Sequence, residues 1–204
     1  MKSIVIFGGA GFVGKHLIRK VSKFGYNIIV PYQKSTNEAE LKLLGQAGQI
    51  IPYYYQSLGD KKLIKIIQNA ETCINLKTSW SEKNQSFKKS IYEFNVDLIS
   101  ILKKSNISKK LIFFSGLGVD TNMKSHRNKA ILEVENYITN NLNNAAIIRP
   151  SVILGGGDQF ISGLLPYFKL SLFIPLFGNG KNIFQPVHIE DICKLVFELI
   201  DKEF

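Results

Sequence analysis

Residues Phe7-Gly8-Gly9-Ala10-Gly11-Phe12-Val13-Gly14 place glycines at 8, 11 and 14, a GxxGxxG spacing with a specific chemical use. Gly8 permits a tight turn, Gly11 lets the backbone approach a pyrophosphate, and Gly14 lets a following helix pack closely on a strand. The first N–H groups of that helix then point at the phosphates. The ligand this arrangement suits is a dinucleotide, held over Gly8, Ala10, Gly11, Phe12, Val13 and Gly14. A glycine trio alone also fits a merely tight strand-to-helix turn. Here the apolar run Ile4–Phe7 precedes it, and Val13, Leu17, Val21 and Phe24 follow at helical spacing.

The end of the second strand separates NAD from NADP. An acidic residue there accepts from the ribose 2′-hydroxyl, whereas a basic one accommodates a 2′-phosphate. This chain carries Pro31-Tyr32-Gln33-Lys34, and the nearest acid is Glu38. Nothing at Gln33 or Lys34 repels a phosphate, so NADP(H) is expected ahead of NAD(H). Lys34 as one more surface lysine is the competing reading.

Strand and helix signals alternate around these residues. Short β-rich runs at Ile4–Phe7, Asn27–Tyr32, Gln49–Tyr55, Thr72–Leu76, Leu111–Ser115 and Ala145–Arg149 lack a polar alternation, as strands buried on both faces do. Asp60 is placed to cap a helix carrying Leu63, Ile64, Ile66 and Ile67. Phe87, Ile91, Phe94, Leu98 and Leu102 share one face of a longer helix, and Asn128–Thr139 form another. The pattern predicts an α/β fold, a doubly wound parallel sheet with helices on both faces. From Pro150 glycines and prolines punctuate the chain, which reads as a small, irregular lobe closed by a helix over Asp191–Lys202. The expected division is 1–150 for the dinucleotide-binding domain and 151–204 for a partial C-terminal lobe.

Composition narrows the function classes. The 204 residues are 45% apolar, enough for one sizeable core. The net charge of +10 comes mostly from lysines, with only Arg19, Arg127 and Arg149 among the arginines. No nucleic-acid-binding pattern accompanies it, so no nucleic-acid partner is expected. Cys73 and Cys193 lack metal-ligand spacing, as do His16, His126 and His188, so no metal site is expected and reduced thiols are the default. The first apolar run is too short for a signal or transit segment. Phe160–Phe177 is interrupted by Pro166, Lys169 and Pro175, a poor spanning helix. It carries more apolar side chains than a small lobe hides, and exposure toward a partner or a membrane surface is expected of it.

The glycine turn, the Lys129 helix and Arg149-Pro150-Ser151 together resemble an atypical, extended-type short-chain dehydrogenase/reductase. More narrowly, the chain resembles the nucleotide-binding accessory-subunit family of respiratory complex I (alpha-subcomplex subunit 9) and its bacterial relatives. Phe7–Gly14, Ile29–Tyr32, Ile74-Asn75-Leu76, Ser125–Glu133, Arg149–Ile153 and, most sharply, Phe184–Ile192 carry that likeness. The resemblance implies a Rossmann-type sheet, with Asn75, Leu76 and Lys77 along the middle of the cofactor. Ser115, Lys129, Pro150, Ser151, Val152 and Ile153 would line its nicotinamide half. Trp80, Ser79 and Ser81 are further candidates on that side, and Asn95 could orient a water or bond backbone only.

It also implies complex I or another membrane-associated assembly as partner. The location would be the cytoplasm of a bacterium or the matrix side of a mitochondrion, peripheral to the inner membrane. Two departures stand out. The superfamily pairs a Tyr with a Lys four residues on, plus a Ser after the fifth strand; Ser115 and Lys129 match, but Ser125, flanked by His126, stands at the Tyr position. The family also continues into further strand and helix past the Asp191 helix, so the second lobe is expected to be incomplete. The resemblance therefore implies an NADP(H)-binding accessory or assembly subunit without turnover. A reductase, isomerase or epimerase using Lys129, and a redox sensor, are the alternatives.

Overall fold

The computed structural model describes residues 2–105, 109–120, 124–170 and 183–202. Six strands make one parallel sheet: β1 (Ser3–Phe7), β2 (Asn27–Tyr32), β3 (Ile50–Tyr54), β4 (Thr72–Asn75), β5 (Lys110–Phe114) and β6 (Ala145–Ile148). Their order is β3-β2-β1-β4-β5-β6, which puts the chain's first strand at the centre and reverses direction of growth beside it. Ligands bind open α/β sheets at such a reversal, outside the carboxyl ends of the strands.

The absence of polar alternation in β1 has a direct cause. Val5 and Phe7 enter one apolar layer, with Leu63, Ile67, Leu98 and Val134. Ile4 and Ile6 enter the other, with Leu17, Val21, Ile192 and Val196. Helices α3 (Lys61–Asn69), α4 (Phe94–Lys103) and α5 (His126–Asn141) supply the first layer, and α1 (Phe12–Ser22) and α7 (Ile189–Asp201) the second. Both sheet faces are therefore covered.

Asp60 caps α3 as expected, its Oδ1 accepting from Lys62 N at 2.8 Å. Three features differ from the sequence reading. A short helix α2 (Glu38–Lys42) follows β2 and buries only Leu41. The start of the long helix, Lys88–Glu93, is wound in a wide π-type turn that packs against α5. Beyond β6 the chain forms a second, two-stranded parallel sheet of β7 (Ile153–Leu154) and β8 (Val187–His188), and a helix α6 (Gln159–Leu170). Asp158 holds the entry to α6, accepting from Ile161 N at 2.7 Å and Gly155 N at 3.2 Å.

In α6, Phe160, Ile161, Leu165 and Phe168 are exposed, as is Phe184. Leu172, Phe173, Ile174, Leu176 and Phe177, in the same apolar stretch Phe160–Phe177, lie outside the described residues, as does the side chain of Leu170. Among the described residues no helix is long and apolar enough to cross a membrane. Helix α7 returns to the sheet and packs on α1. Lys110, at the start of β5, donates to the carbonyls of Leu199 (3.0 Å), Ile200 (2.7 Å) and Lys202 at its end. Both cysteines are free and buried, and burial pushes the Cys73 thiol up to about 12 and Cys193 to about 11.

Candidate dinucleotide site

The glycine turn leaves β1 at Gly8, whose φ of +76° belongs to the left-handed region. A Cβ there would also sit 2.9 Å from Lys77 N, so the turn lies directly against the chain leaving β4. At Gly14 the constraint is room alone: a Cβ would stand 2.4 Å from Gly9 Cα. Helix α1 consequently starts hard against the turn. Its N-cap, Gly11, offers no side chain, and its first turn contains no acid. The orphan N–H groups and positive dipole end are thus left to an anion, which is the fit a pyrophosphate needs.

Phe12 and Val13 do not stand free. Both pack partly against the layer beneath α1 and α7. His16 is half-buried, with Nε2 2.9 Å from Gly156 O and its ring edge-on to Phe12. The loop after β7 is thereby fastened to the first helix.

At the end of β2, the nearest acid is engaged. Glu38 takes a hydrogen bond from the Tyr32 hydroxyl and lies 3.6 Å from Lys42 Nζ, one turn along α2. Gln33 donates to Gln56 O at 3.0 Å and accepts from Lys77 Nζ at 2.9 Å. Lys77 thus reaches from the end of β4 to the end of β2, across β1. Its ammonium lies 3.8 Å from the Phe94 ring centroid and 6.0 Å from that of Tyr55. Burial, with the like charge of Lys34 second, pushes it down to about 8.

Asn75 is fully buried and spends its amide within the fold. Nδ2 donates to Asn95 Oδ1 at 2.7 Å, and Oδ1 accepts from Lys77 N at 3.0 Å. Asn95 in turn donates to Ile91 O at 2.7 Å. The pair fixes the chain at Leu76–Lys77, leaving backbone rather than the Asn75 side chain toward a ligand.

Of the residues assigned to the nicotinamide half, Ser115 and Pro150 lie together at the ends of β5 and β6, where Leu117 N donates to Pro150 O at 2.8 Å, while Lys129 lines a separate cleft. Ser115 continues the β5–β6 pairing, its N donating to Ile148 O at 2.8 Å. Its Oγ is buried and makes no hydrogen bond among the described residues. Ser125 caps α5, accepting from Asn128 N at 3.4 Å. Lys129 is exposed and lines a cleft of about 300 Å³ with His126, Glu82, Phe87 and Glu133; Ser115 does not line it. Pro150 and Ser151 line a different, largely apolar cleft of about 500 Å³ between β6 and α7, together with Ile192 and Leu195. Val152 and Ile153 pair with Val187.

Arg127, which sequence reasoning passed over, reaches from α5 to the loop after β4. It donates to Ser79 O and Thr78 Oγ1, each at 2.9 Å, and stacks 4.0 Å from the Trp80 ring centroid. Arg127 therefore ties α5 to the loop after β4, while the Trp80 ring stays 79% exposed. Its rarity was the available signal: arginine is scarce in a chain rich in lysine. Arg149 likewise pairs with the buried carboxylate of Glu135, Nε to Oε1 at 2.9 Å and Nη2 to Oε2.

The family model for the NAD dependent epimerase/dehydratase family matches residues 4–126. The mitochondrial NADH dehydrogenase [ubiquinone] 1 alpha subcomplex subunit 9 of Arabidopsis thaliana is 28% identical over 193 residues, 94% of this chain and 48% of that protein. The protein of the same name from Dictyostelium discoideum is 27% identical over 198 residues, 96% of this chain and 54% of its own. The chain spans about half the length of these relatives. Among solved structures, MoeE5 in complex with UDP-glucuronic acid and NAD superposes with a TM-score of 0.80 at 15% identity, over 99% of this chain and 73% of that one. The dTDP-glucose 4,6-dehydratase of Bacillus anthracis, in complex with NAD, gives 0.78 at 19% identity, over 99% and 72%. These two likenesses show the shared fold.

Proposed function

The chain belongs to the NAD dependent epimerase/dehydratase family, and on that premise we propose that it holds NADP(H) as a resident nucleotide without turning it over. In this reading it serves an assembly of the NADH:ubiquinone oxidoreductase kind. The carrying observation is the state of Ser125. A phenol of lowered pKa can pass a proton to a substrate carbonyl, whereas the Ser125 hydroxyl is too weakly acidic to do so without a separate base, and it caps α5. The groups that suit a nucleotide are meanwhile retained: the glycine turn, the uncapped start of α1, Lys77 on the neutral amide of Gln33, and Lys34, whose nearest acid in sequence, Glu38, is engaged. In this reading residues 1–150 supply the nucleotide-binding unit, onto whose sheet α7 packs, and the exposed face of α6 is turned to the partner. The exposed apolar residues of α6, with Phe184, support that second assignment. So do the names of the relatives, which are subunits of a respiratory assembly.

A nicotinamide nucleotide would supply hydride chemistry. Ser115, Lys129 and Pro150–Ile153 are the residues we assign to that end. A second reading, an NADP(H)-dependent reductase, isomerase or epimerase, draws on Ser115, whose buried hydroxyl lacks a partner among the described residues. Steady-state oxidation of NADPH with quinones, ketones and sugar nucleotides separates the two. No turnover is expected, alongside tight binding and co-purification with respiratory subunits from native membranes. A substrate-dependent rate on the order of 1 per second or faster would establish the second reading instead.

A further inference from the structure

We propose that Lys77, with Lys34 as its partner, reads the adenosine 2′-phosphate, so that selection of NADP(H) is made from the end of β4 rather than from the end of β2 alone. The assignment rests on the dinucleotide reading above and specifies which cation does the selecting.

Lys77 leaves the chain where its backbone N abuts Gly8, and its side chain crosses β1 to Gln33, where the second strand ends. Its ammonium has one hydrogen-bond acceptor, the neutral amide of Gln33, and rests on the faces of Phe94 and Tyr55. No carboxylate pairs with it among the described residues. Glu38, the nearest acid in sequence to Lys34, is taken by Tyr32 and Lys42. A half-buried cation on two aromatic rings, with a second lysine close enough to repel it, is an unbalanced arrangement. It becomes favourable when a dianion arrives. A phosphomonoester is such a group, carrying close to two charges at neutral pH. A ribose hydroxyl is not: it leaves both cations uncompensated, and this is the basis of discrimination. Gln33 contributes by holding the Lys77 side chain at the β2 end, itself anchored by Gln56 O.

The test is calorimetric titration of the full chain with NADPH, NADH, adenosine 2′,5′-bisphosphate and inorganic phosphate, on wild type and on Lys77→Met, Lys34→Met and Lys77→Arg. Lys77→Met should weaken NADPH and the bisphosphate by about tenfold or more and leave NADH within about twofold. Lys34→Met should have a smaller effect of the same pattern, and Lys77→Arg should keep the preference. Wild type supplies a readout independent of any substitution. NADPH affinity should fall as pH rises above about 8, where Lys77 loses its proton, while NADH affinity stays flat. Lys34 and Tyr55 are the other titratable groups facing that ammonium; burial holds the Tyr55 phenol well above its usual range, so it stays neutral there. Equal losses of NADPH and NADH in Lys77→Met, or no loss of either, would overturn the assignment while leaving the dinucleotide reading intact. Inorganic phosphate binding as tightly as the bisphosphate would also overturn it. Wild type binding neither dinucleotide would overturn both.

Discussion

Lys77 Nζ and Gln33 Oε1, 44 residues apart in sequence, stand 2.9 Å apart and join the carboxyl ends of β4 and β2 across the central strand. The link holds a cation where folding alone gains little from it.

The energetic sign of that placement can be measured. Lys77 falls to about 8 in the folded chain, against about 10.4 unfolded. Below pH 8 both states are charged and the folded one carries the full burial cost. Between 8 and 10.4 only the unfolded chain keeps the proton, so wild-type stability recovers as pH rises. Lys77→Met should therefore stabilise the nucleotide-free protein by about 1 kcal/mol at pH 7, after discounting for solvent screening. The gain should disappear by pH 10.5. Urea unfolding of both chains at the two pH values checks this.

Gly14→Ala is expected to cost about 2–3 kcal/mol and to abolish dinucleotide binding, because its Cβ would enter the backbone of Gly9. Gly163→Ala, in α6 with open space around it, should instead stabilise by about 0.5–1 kcal/mol. Thermal melts with and without NADPH distinguish the two.

Removing Arg149 strands Glu135, whose carboxylate is 4% exposed in its side chain. Arg149→Met should cost about 2–3 kcal/mol, less than a fully buried pair because the guanidinium is half exposed. Glu135→Leu combined with Arg149→Met should recover most of that loss. Denaturant unfolding of the single and double variants tests it.

Ser125→Ala should cost about 0.5–1 kcal/mol through loss of the α5 cap and leave the dissociation constant for NADPH unchanged. A change in nucleotide affinity larger than about twofold would contradict the capping role assigned to it.

Much of the fold was legible because the strands carry their own explanation. Ile4 to Phe7 are apolar without alternation, and each neighbouring pair proves to serve opposite layers. Asp60 was readable for a similar reason, since a cap acts within three residues. Local signals failed where the cause lay elsewhere. Five residues with one buried leucine leave no helical stripe to read in α2. The wide turn at Lys88–Glu93 is tied to packing against α5, some forty residues on. Helix α6 was read as irregular because Pro166 falls inside it. At the site, the glycine turn was visible as a motif. The direction of Lys77, the engagement of Glu38 and the placement of Arg127 over Trp80 each depend on a partner in another element.

The return of α7 to the sheet bears on how this chain comes into being. β1 and α1 are made well before α7, yet the layer on their side is finished by Ile189, Ile192, Val196 and Ile200. Lys110 then grips the last carbonyls of α7, and Asp201 accepts from the Tyr26 hydroxyl at 2.7 Å. On a translating ribosome the opposite layer, built from α3, α4 and α5, can close early, while the apolar face under α1 stays uncovered until nearly the whole described chain has emerged. Premature release before residue 189 would expose Leu17, Val21 and Ile6 together, the half of the core on which the nucleotide turn stands.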